Sequence, residues 1–558
     1  MLRVRTLYAC SAVETARYYT RYLDDPSEEP GCWRGRQADG LGLAGTVDTD
    51  QLESLLRGFH PVGGQRLGSA LVDRFKADGT TIKAVAGYDA TFSAPKSLSV
   101  WWALTGDRGL LDAHDTAVDV VLDHLEAEGA TTRIRRNGSR AFVDTGGLTM
   151  AGFAQSTSRE DDPQIHTHVV ISTKVQADDG RWYALDARYL KRKQRALGGL
   201  YQSVLRAELT HRYGVAWGPI SEGQAELAAM PTALIECFSK RARQVEEYLE
   251  LKVMAFREMT GRDPTRYEKA ALVREAAADS RVDKTGSPTG DLAETWRVEA
   301  AEIGWTAERL VSTLTSTGPV AEPGPVRVDE LLDALTAEAS TWLPIDVLRR
   351  LCDRLPPVPS MTGREWAAHL NEITSQLVEA GEDLDPDPRD PVRESDGRSI
   401  WIEPIKANLT HRAVLDQEER IIDFATTANE TVPAPSSSGS VDTSGLDALQ
   451  GDAARAVAGT DPLVLIVGPA GTGKTTTLAR AVADLHRTGR PCFGVAPTAK
   501  AARVLGTETA MACDTVAKLL HEWDRPDGPR QPHRLAGGTT LVVDEAGIVG
   551  TDSPDRLL

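Results

Sequence analysis

Three groups of residues have the types and spacings needed for chemistry on phosphate esters. In DDPQIHTHVV, His166 and His168 lie two apart within a β-branched stretch that reads as a strand, so both imidazoles point to one face. Two neutral imidazoles on one face suit a divalent metal. In ETARYYTRYL, Tyr18, Tyr19 and Tyr22 cluster, with Tyr18 and Tyr22 one helical turn apart. Tyrosine clusters usually serve packing. A phenol beside a metal ion can nevertheless attack a phosphodiester, because the ion stabilises the developing charge and eases phenolate formation.

The third group is a phosphate-binding loop: Gly468, Pro469, Ala470, Gly471, Thr472, Gly473, Lys474 and Thr475. Its glycines permit the turn, and amides at the start of the following helix cradle phosphate oxygens. Lys474 reaches the terminal phosphates and Thr475 offers magnesium a hydroxyl. Downstream, TTLVVDEAG ends an apolar run on Asp544 and Glu545. One carboxylate there can hold the magnesium shell while its neighbour orients an attacking water. ATP with Mg2+ is the expected ligand.

The elements that must position these residues follow from periodicity. Residues 1 to about 215 alternate strand-like segments (LRVRTLY, HTHVVISTKV) with helical ones, which predicts an α+β domain. From about 220 to 313 the Ala, Glu and Arg-rich stretches predict helices, giving a first domain over 1–313. STGPVAEPGPV is a break, followed by a helical connecting module over 327–430. TVPAPSSSGSVDTSG (431–445) reads as a flexible linker. In the last domain, 446–558, PLVLIVG reads as a buried parallel strand entering the phosphate loop.

A chain of 558 residues exceeds one core, and 41% hydrophobic with 26% charged residues is an ordinary globular composition. The net charge of -18 argues against indiscriminate nucleic-acid binding but leaves room for local basic grooves. Arginines gather at Arg133, Arg135, Arg136 and Arg140, and basic residues again at Arg188, Lys191, Arg192, Lys193 and Arg195. Trp101, Trp102, Trp182 and Tyr183 are aromatics available for base stacking or core. Six scattered cysteines have no zinc-ligand spacing, which fits a reducing, cytoplasmic setting. No run approaches the roughly 18 apolar residues of a membrane span, so no membrane anchor or cleaved signal is expected.

Taken in order, TARYY, LGLAGTVD, GYDATFSAPKSLSV, AHDTAV, TSREDDPQIHTHVV and DGRWYALD resemble the TrwC/TraI family of conjugative relaxases. These are HUH endonucleases with a palm-like antiparallel sheet and helices. The resemblance implies that Tyr18 attacks a phosphodiester of single-stranded DNA at an origin of transfer, leaving a 5′-phosphotyrosyl link and a free 3′-hydroxyl. Tyr19 matches the adjoining family tyrosine. Asp89 matches an acid that orients a ligand or takes the tyrosine proton, and Lys96 a residue that contacts the DNA backbone. Relaxosome proteins and a coupling ATPase are implied partners. The family commonly has a third histidine eleven residues before the H-x-H pair, where this chain has Gln155. A glutamine carbonyl is a harder, weaker ligand than imidazole, so a site of His166, His168 and Gln155 favours Mg2+ or Mn2+ and lowers affinity. The second tyrosine pair of some members is absent from DDPSEEPGCWRGR, with Tyr22 the nearby candidate.

The last domain resembles the RecD-like branch of superfamily 1 helicases through LQGDAARAV, GPAGTGKTTT, APTAKAARVL, DTVAKLL and VVDEAGIVG. That resemblance implies an α/β RecA-like fold, an adenine contact from Gln450, and a single-stranded DNA segment containing Thr498 and Lys500. The sequence ends soon after Glu545, so the RecA-like domain is expected to be incomplete and to bind nucleotide better than it unwinds DNA. An early-terminated product or one half of a split pair would have that form. Two functional readings stand: a metal-dependent, tyrosine-mediated nicking enzyme tethered to a helicase domain, and a single-stranded DNA-binding scaffold whose nicking site Gln155 leaves degenerate.

Overall fold

The computed structural model describes residues 1–20, 29–158, 160–280, 289–316, 327–386, 391–430, 441–469 and 471–558. Tyr22, Ala470 and residues 431–440 of the expected linker lie outside them. The chain forms two compact units. The first comprises Met1–Leu331, Leu343–Glu379 and Leu384–Asn408; the second comprises Leu332–Trp342, Ala380–Asp383 and Leu409–Leu558. Among the described residues no helix is long and apolar enough to cross a membrane.

The first unit is built on a five-stranded antiparallel sheet. Its order is Leu2–Tyr8, Val85–Ser93, Pro163–Ser172, Met150–Thr157 and Cys32–Arg34. The histidine strand, Pro163–Ser172, lies in the middle and pairs along both edges. On the reverse side, Thr167 is buried and accepts or donates at His114 Nε2 (2.8 Å), while His114 Nδ1 meets Tyr201 Oη at 2.7 Å. Helices Arg108–Gly129 and Gln194–Tyr213 carry His114 and Tyr201 and cover that side. Trp101, offered above as a stacking platform, is instead core: it is buried and packs edge-on against Tyr213.

The connecting module expected over 327–430 is not a body of its own. Helices Pro344–Arg354 and Gly363–Glu379 lie on Gln194–Tyr213 within the first unit, whereas Arg412–Glu430 belongs to the second. Polar side chains decide this. Buried Arg206 donates to Cys352 O (2.9 Å), Trp366 Nε1 to Ser203 Oγ (2.9 Å), and Lys193 Nζ to Asp346 (2.8 Å). Losing any of these partners would leave a buried donor or charge unsatisfied.

In the second unit, three parallel strands run in the order Cys513–Thr515, Cys492–Ala496 and Thr540–Val543. Helices Ala448–Ala458, Lys474–Arg487 and Ala499–Thr509 pack around them. PLVLIVG departs from its expected form, because among the described residues no strand pairs with it. It keeps a strand's alternation only: Val464 and Ile466 touch the core while Leu465 and Val467 are 79% and 97% exposed. A parallel strand is buried on both faces when its sheet holds it between two helical layers, and here only one side meets the core.

Burial pushes the fully enclosed His114 down to about 3 from an ordinary 6.5. Between those values the unfolded chain takes up a proton that the folded chain refuses, so stability falls as pH falls. Chemical denaturation should show a loss approaching about 1.4 kcal/mol per pH unit below 6.5. His114→Gln should flatten that limb; equal slopes in both proteins would mean the ring titrates normally.

Candidate active site

Antiparallel pairing places one set of side chains on the front of the first unit's sheet. Gln155 is directly opposite His166, and Phe153 opposite His168. On the other edge Ser93 faces His166, Thr91 faces His168, and Asp89 faces Val170. The two imidazole centroids are 5.2 Å apart. His168 Nδ1 lies 2.9 Å from Asp89 Oδ1, and His166 Nδ1 lies 2.8 Å from Gln164 O. Carboxylates and carbonyls only accept, so each ring carries its proton on Nδ1 and, when neutral, its lone pair on Nε2. That is the tautomer a metal requires, with Asp89 holding one ligand from behind. Asp89 and Gln155 are both buried. Among the described residues no three His, Cys, Asp or Glu side chains gather to hold a metal, so an ion here would rely on the two histidines and Gln155. Two imidazole nitrogens and one amide oxygen are a donor set that fits a divalent cation.

The helix Ala12–Thr20 brings both described tyrosines to this face, in unlike environments. Tyr19 is buried, stacked on Phe153 at 5.3 Å and tilted against His168 at 5.4 Å. Burial, followed by the charge of Asp89 and a hydrogen bond to it, pushes its phenol far above the usual tyrosine range. Tyr18 is half-buried, 5.1 Å edge-on from Tyr19. Exposed Arg5 stands opposite Asp89 on the edge strand and eases the Tyr19 shift slightly. Lys96 lies half-buried at the start of helix Lys96–Thr105, donating to Pro163 O at 2.7 Å, and burial brings it down to about 8. That bond ties its ammonium to the start of the histidine strand.

The second unit holds the nucleotide residues. Gly471 and Gly473 take left-handed φ values of 82° and 72°, which other residues adopt at a cost. Helix Lys474–Arg487 starts at Gly473 with no side chain capping it, so its first amides face the loop. Lys474 Nζ donates to Gly468 O (2.7 Å) and Pro469 O (2.9 Å), and Thr472 Oγ1 to Pro469 O (2.8 Å). Thr475 is half-buried in the first turn. Asp544 follows Val543 at the strand's end, its amide bonded to Val495 O at 2.9 Å, and Glu545 is exposed beside it. Gln450 closes a capping box with Asp447 and donates to Thr472 O at 3.1 Å, tying its helix to the loop. Thr498 caps the helix Ala499–Thr509 through Ala501 N (3.1 Å), while Lys500 is exposed. The unit fits a nucleoside triphosphate with magnesium: an uncapped helix start, a lysine in the loop and a carboxylate at the neighbouring strand end.

The family described as TrwC relaxase matches residues 4–303, more than half of the chain. The chain belongs to the TrwC relaxase family. A second family, an AAA domain, matches residues 445–558 of this relaxase. The multifunctional conjugation protein TraI of Escherichia coli is 33% identical over 367 residues, 62% of this chain but 19% of TraI. The chain therefore spans a minor part of that relative. The ATP-dependent RecD2 DNA helicase of Deinococcus radiodurans is 43% identical over 90 residues, 16% of this chain and 12% of that one. Solved structures of conjugative relaxase TrwC, one with oriT DNA and bound metal, another with a 27-mer comprising the recognition hairpin and cleavage site, are 32% and 31% identical. Each covers 55% of this chain and 100% of its own, with TM-scores of 0.47 and 0.46.

The fold thus gathers Tyr18, Tyr19, Asp89, Gln155, His166 and His168 on one sheet face, with Lys96 half-buried at the start of the histidine strand. Sequence reasoning missed Thr91, which donates to Asp89 Oδ1 at 3.3 Å beside His168, and Arg5. A signal existed for the arginine: in LRVRTLY the basic residues alternate with Leu2 and Val4, so they share a face. Replacing Gln155 with histidine should tighten Mn2+ binding by at least about tenfold in a titration of the purified chain. Unchanged affinity would remove Gln155 from the ligand set.

Proposed function

We propose that this relaxase cuts one strand of DNA at an origin of transfer through a covalent tyrosine intermediate, and that its second unit binds ATP with Mg2+. The observation that carries the first half is the pair of Nδ1-protonated histidines with Asp89 and Gln155, on one sheet face beside two tyrosines. The family gives further support, since the TrwC relaxase description matches residues 4–303, which hold all of these side chains.

Tyr18 is the nucleophile in this reading. Tyr19 is too deeply buried and too strongly held protonated to form phenolate, so it positions Phe153 and His168. His166, His168 and Gln155 would hold a divalent ion, Mg2+ or Mn2+, which when bound would supply positive charge beside the scissile phosphate. Asp89 keeps His168 in its ligating tautomer, and Arg5 adds a cation at the edge of the same face. Tyr18 Oη forms its bond to phosphorus as the bond to the 3′-oxygen breaks. The phenol proton passes, directly or through water, to the departing 3′-oxygen, which leaves as a hydroxyl. Single-stranded origin DNA is the substrate; relaxosome proteins and a coupling ATPase are the partners the family context supports.

Gln155 favours a second reading, in which this face holds single-stranded DNA without cutting it. The two separate on a denaturing gel of labelled origin strand incubated with Mg2+ or Mn2+. We expect a metal-dependent protein–DNA adduct, abolished by chelation, reduced at least about 100-fold in Tyr18→Phe and less than about tenfold in Tyr19→Phe. Binding without adduct under either ion would establish the scaffold.

For the second unit, Lys474→Ala should weaken binding of a fluorescent ATP analogue at least about tenfold. Equal affinities would place the triphosphate elsewhere.

A further inference from the structure

One basic surface of the first unit takes no part in the site above. The hairpin Thr131–Arg136/Ser139–Asp144 sets Arg135 directly opposite Arg140, with Arg133 and Phe142 the next pair on that face. Like charges directly across a ladder cost stability unless something anionic lies between them. Arg133, Arg135 and Arg140 are exposed. Together with Phe142, Trp401 and Lys406 they line a cleft of about 610 Å³. Its one acid, Glu403, is engaged by Arg188, which also pairs with Asp186. Among the described residues no carboxylate pairs with Arg135, Arg140 or Lys406, in a chain of net charge -18.

The opposite wall is a loop built to stay in place. Arg393, fully buried, donates to Ser399 O (3.0 Å) and Ile402 O (2.7 Å) and clasps Asp396. Arg398 donates to Pro404 O (3.1 Å) and Lys406 O (2.9 Å) and pairs with Asp385 at 2.6 Å. The Phe142 amide donates to Ile400 O at 2.7 Å, joining loop to hairpin. These bonds hold the loop whose next residue, Trp401, stays 38% exposed at the cleft. Exposed arginines along the hairpin wall, with an indole and Lys406 presented by the anchored loop opposite, match a phosphodiester chain with an unpaired base.

We propose that this cleft is a second binding site for single-stranded nucleic acid, separate from the histidine face, with phosphates along Arg135, Arg140 and Lys406 and a base stacked on Trp401. The proposal rests on the reading of the chain as a DNA-processing protein, but its test needs neither cutting nor an origin. The full chain is titrated with fluorescein-labelled oligo-dT of twenty nucleotides in EDTA, at several salt concentrations. Wild type and the triple variant R135A/R140A/K406A are compared. Each lost phosphate contact lowers the salt slope for single strands by about 0.7, so the variant should lose on the order of 2 units of slope. Trp401→Ala should bind about tenfold more weakly with little change in slope. The double variant R135K/R140K should keep the wild-type slope, which separates charge from fold. In parallel, bromodeoxyuridine-substituted oligo-dT should crosslink to the peptide containing Trp401. Unchanged slope in the triple variant, no crosslink at Trp401, or equal competition by duplex DNA would each overturn the proposal.

Discussion

A slip of one residue in the pairing of Pro163–Ser172 would turn His166 and His168 to the helical side and Thr167 toward the tyrosines, so the whole histidine face depends on that register. Two devices hold it. The strand is paired on both edges, so no shift can occur without breaking two ladders. Behind it, the Thr167 hydroxyl, the His114 ring and the Tyr201 phenol form a buried chain whose bonds exist in one register only. A slip would strand an imidazole between helices with its partners gone. Lys96, reaching Pro163 O, adds a third hold at the strand's start.

With the register fixed, the same side chains divide their work between front and back. Asp89 accepts from both His168 and Tyr19, and burial against Phe153 is what sets Tyr19 apart from its neighbour. One helix step separates a ring sunk against Phe153 from a ring at the rim. The burial that raises the Tyr19 phenol also makes that ring a wall for the imidazole beside it.

Much of this was legible because period two and period 3.6 are properties of spacing. The strand through His166 and His168, the shared front face, and the loop from Gly468 to Thr475 all follow from it. What spacing does not carry is depth. Tyr18 and Tyr19 look equivalent in TARYY, and only packing against Phe153 tells them apart. Lys96 in SAPKS reads as a surface cation, yet the carbonyl of Pro163 claims it. Residues 327–430 read as a module because their helices are amphipathic, but amphipathicity does not say which body supplies the partner. Arg206 and Trp366 show that for Pro344–Arg354 and Gly363–Glu379 it was the first unit, while Arg412–Glu430 belongs to the second. PLVLIVG had the composition of a buried strand, and composition cannot supply a neighbour.

That last segment bears on how tightly the second unit holds a ligand. The phosphate loop is anchored firmly on one side, where Lys474 begins a packed helix, and loosely on the other, where Val464 and Ile466 touch the core without a ladder. A triphosphate entering such a loop must stiffen the approach as well as the turn, and that ordering subtracts from the affinity its contacts provide. The same eight loop residues would therefore grip more strongly in a sheet that already held their entry strand in line.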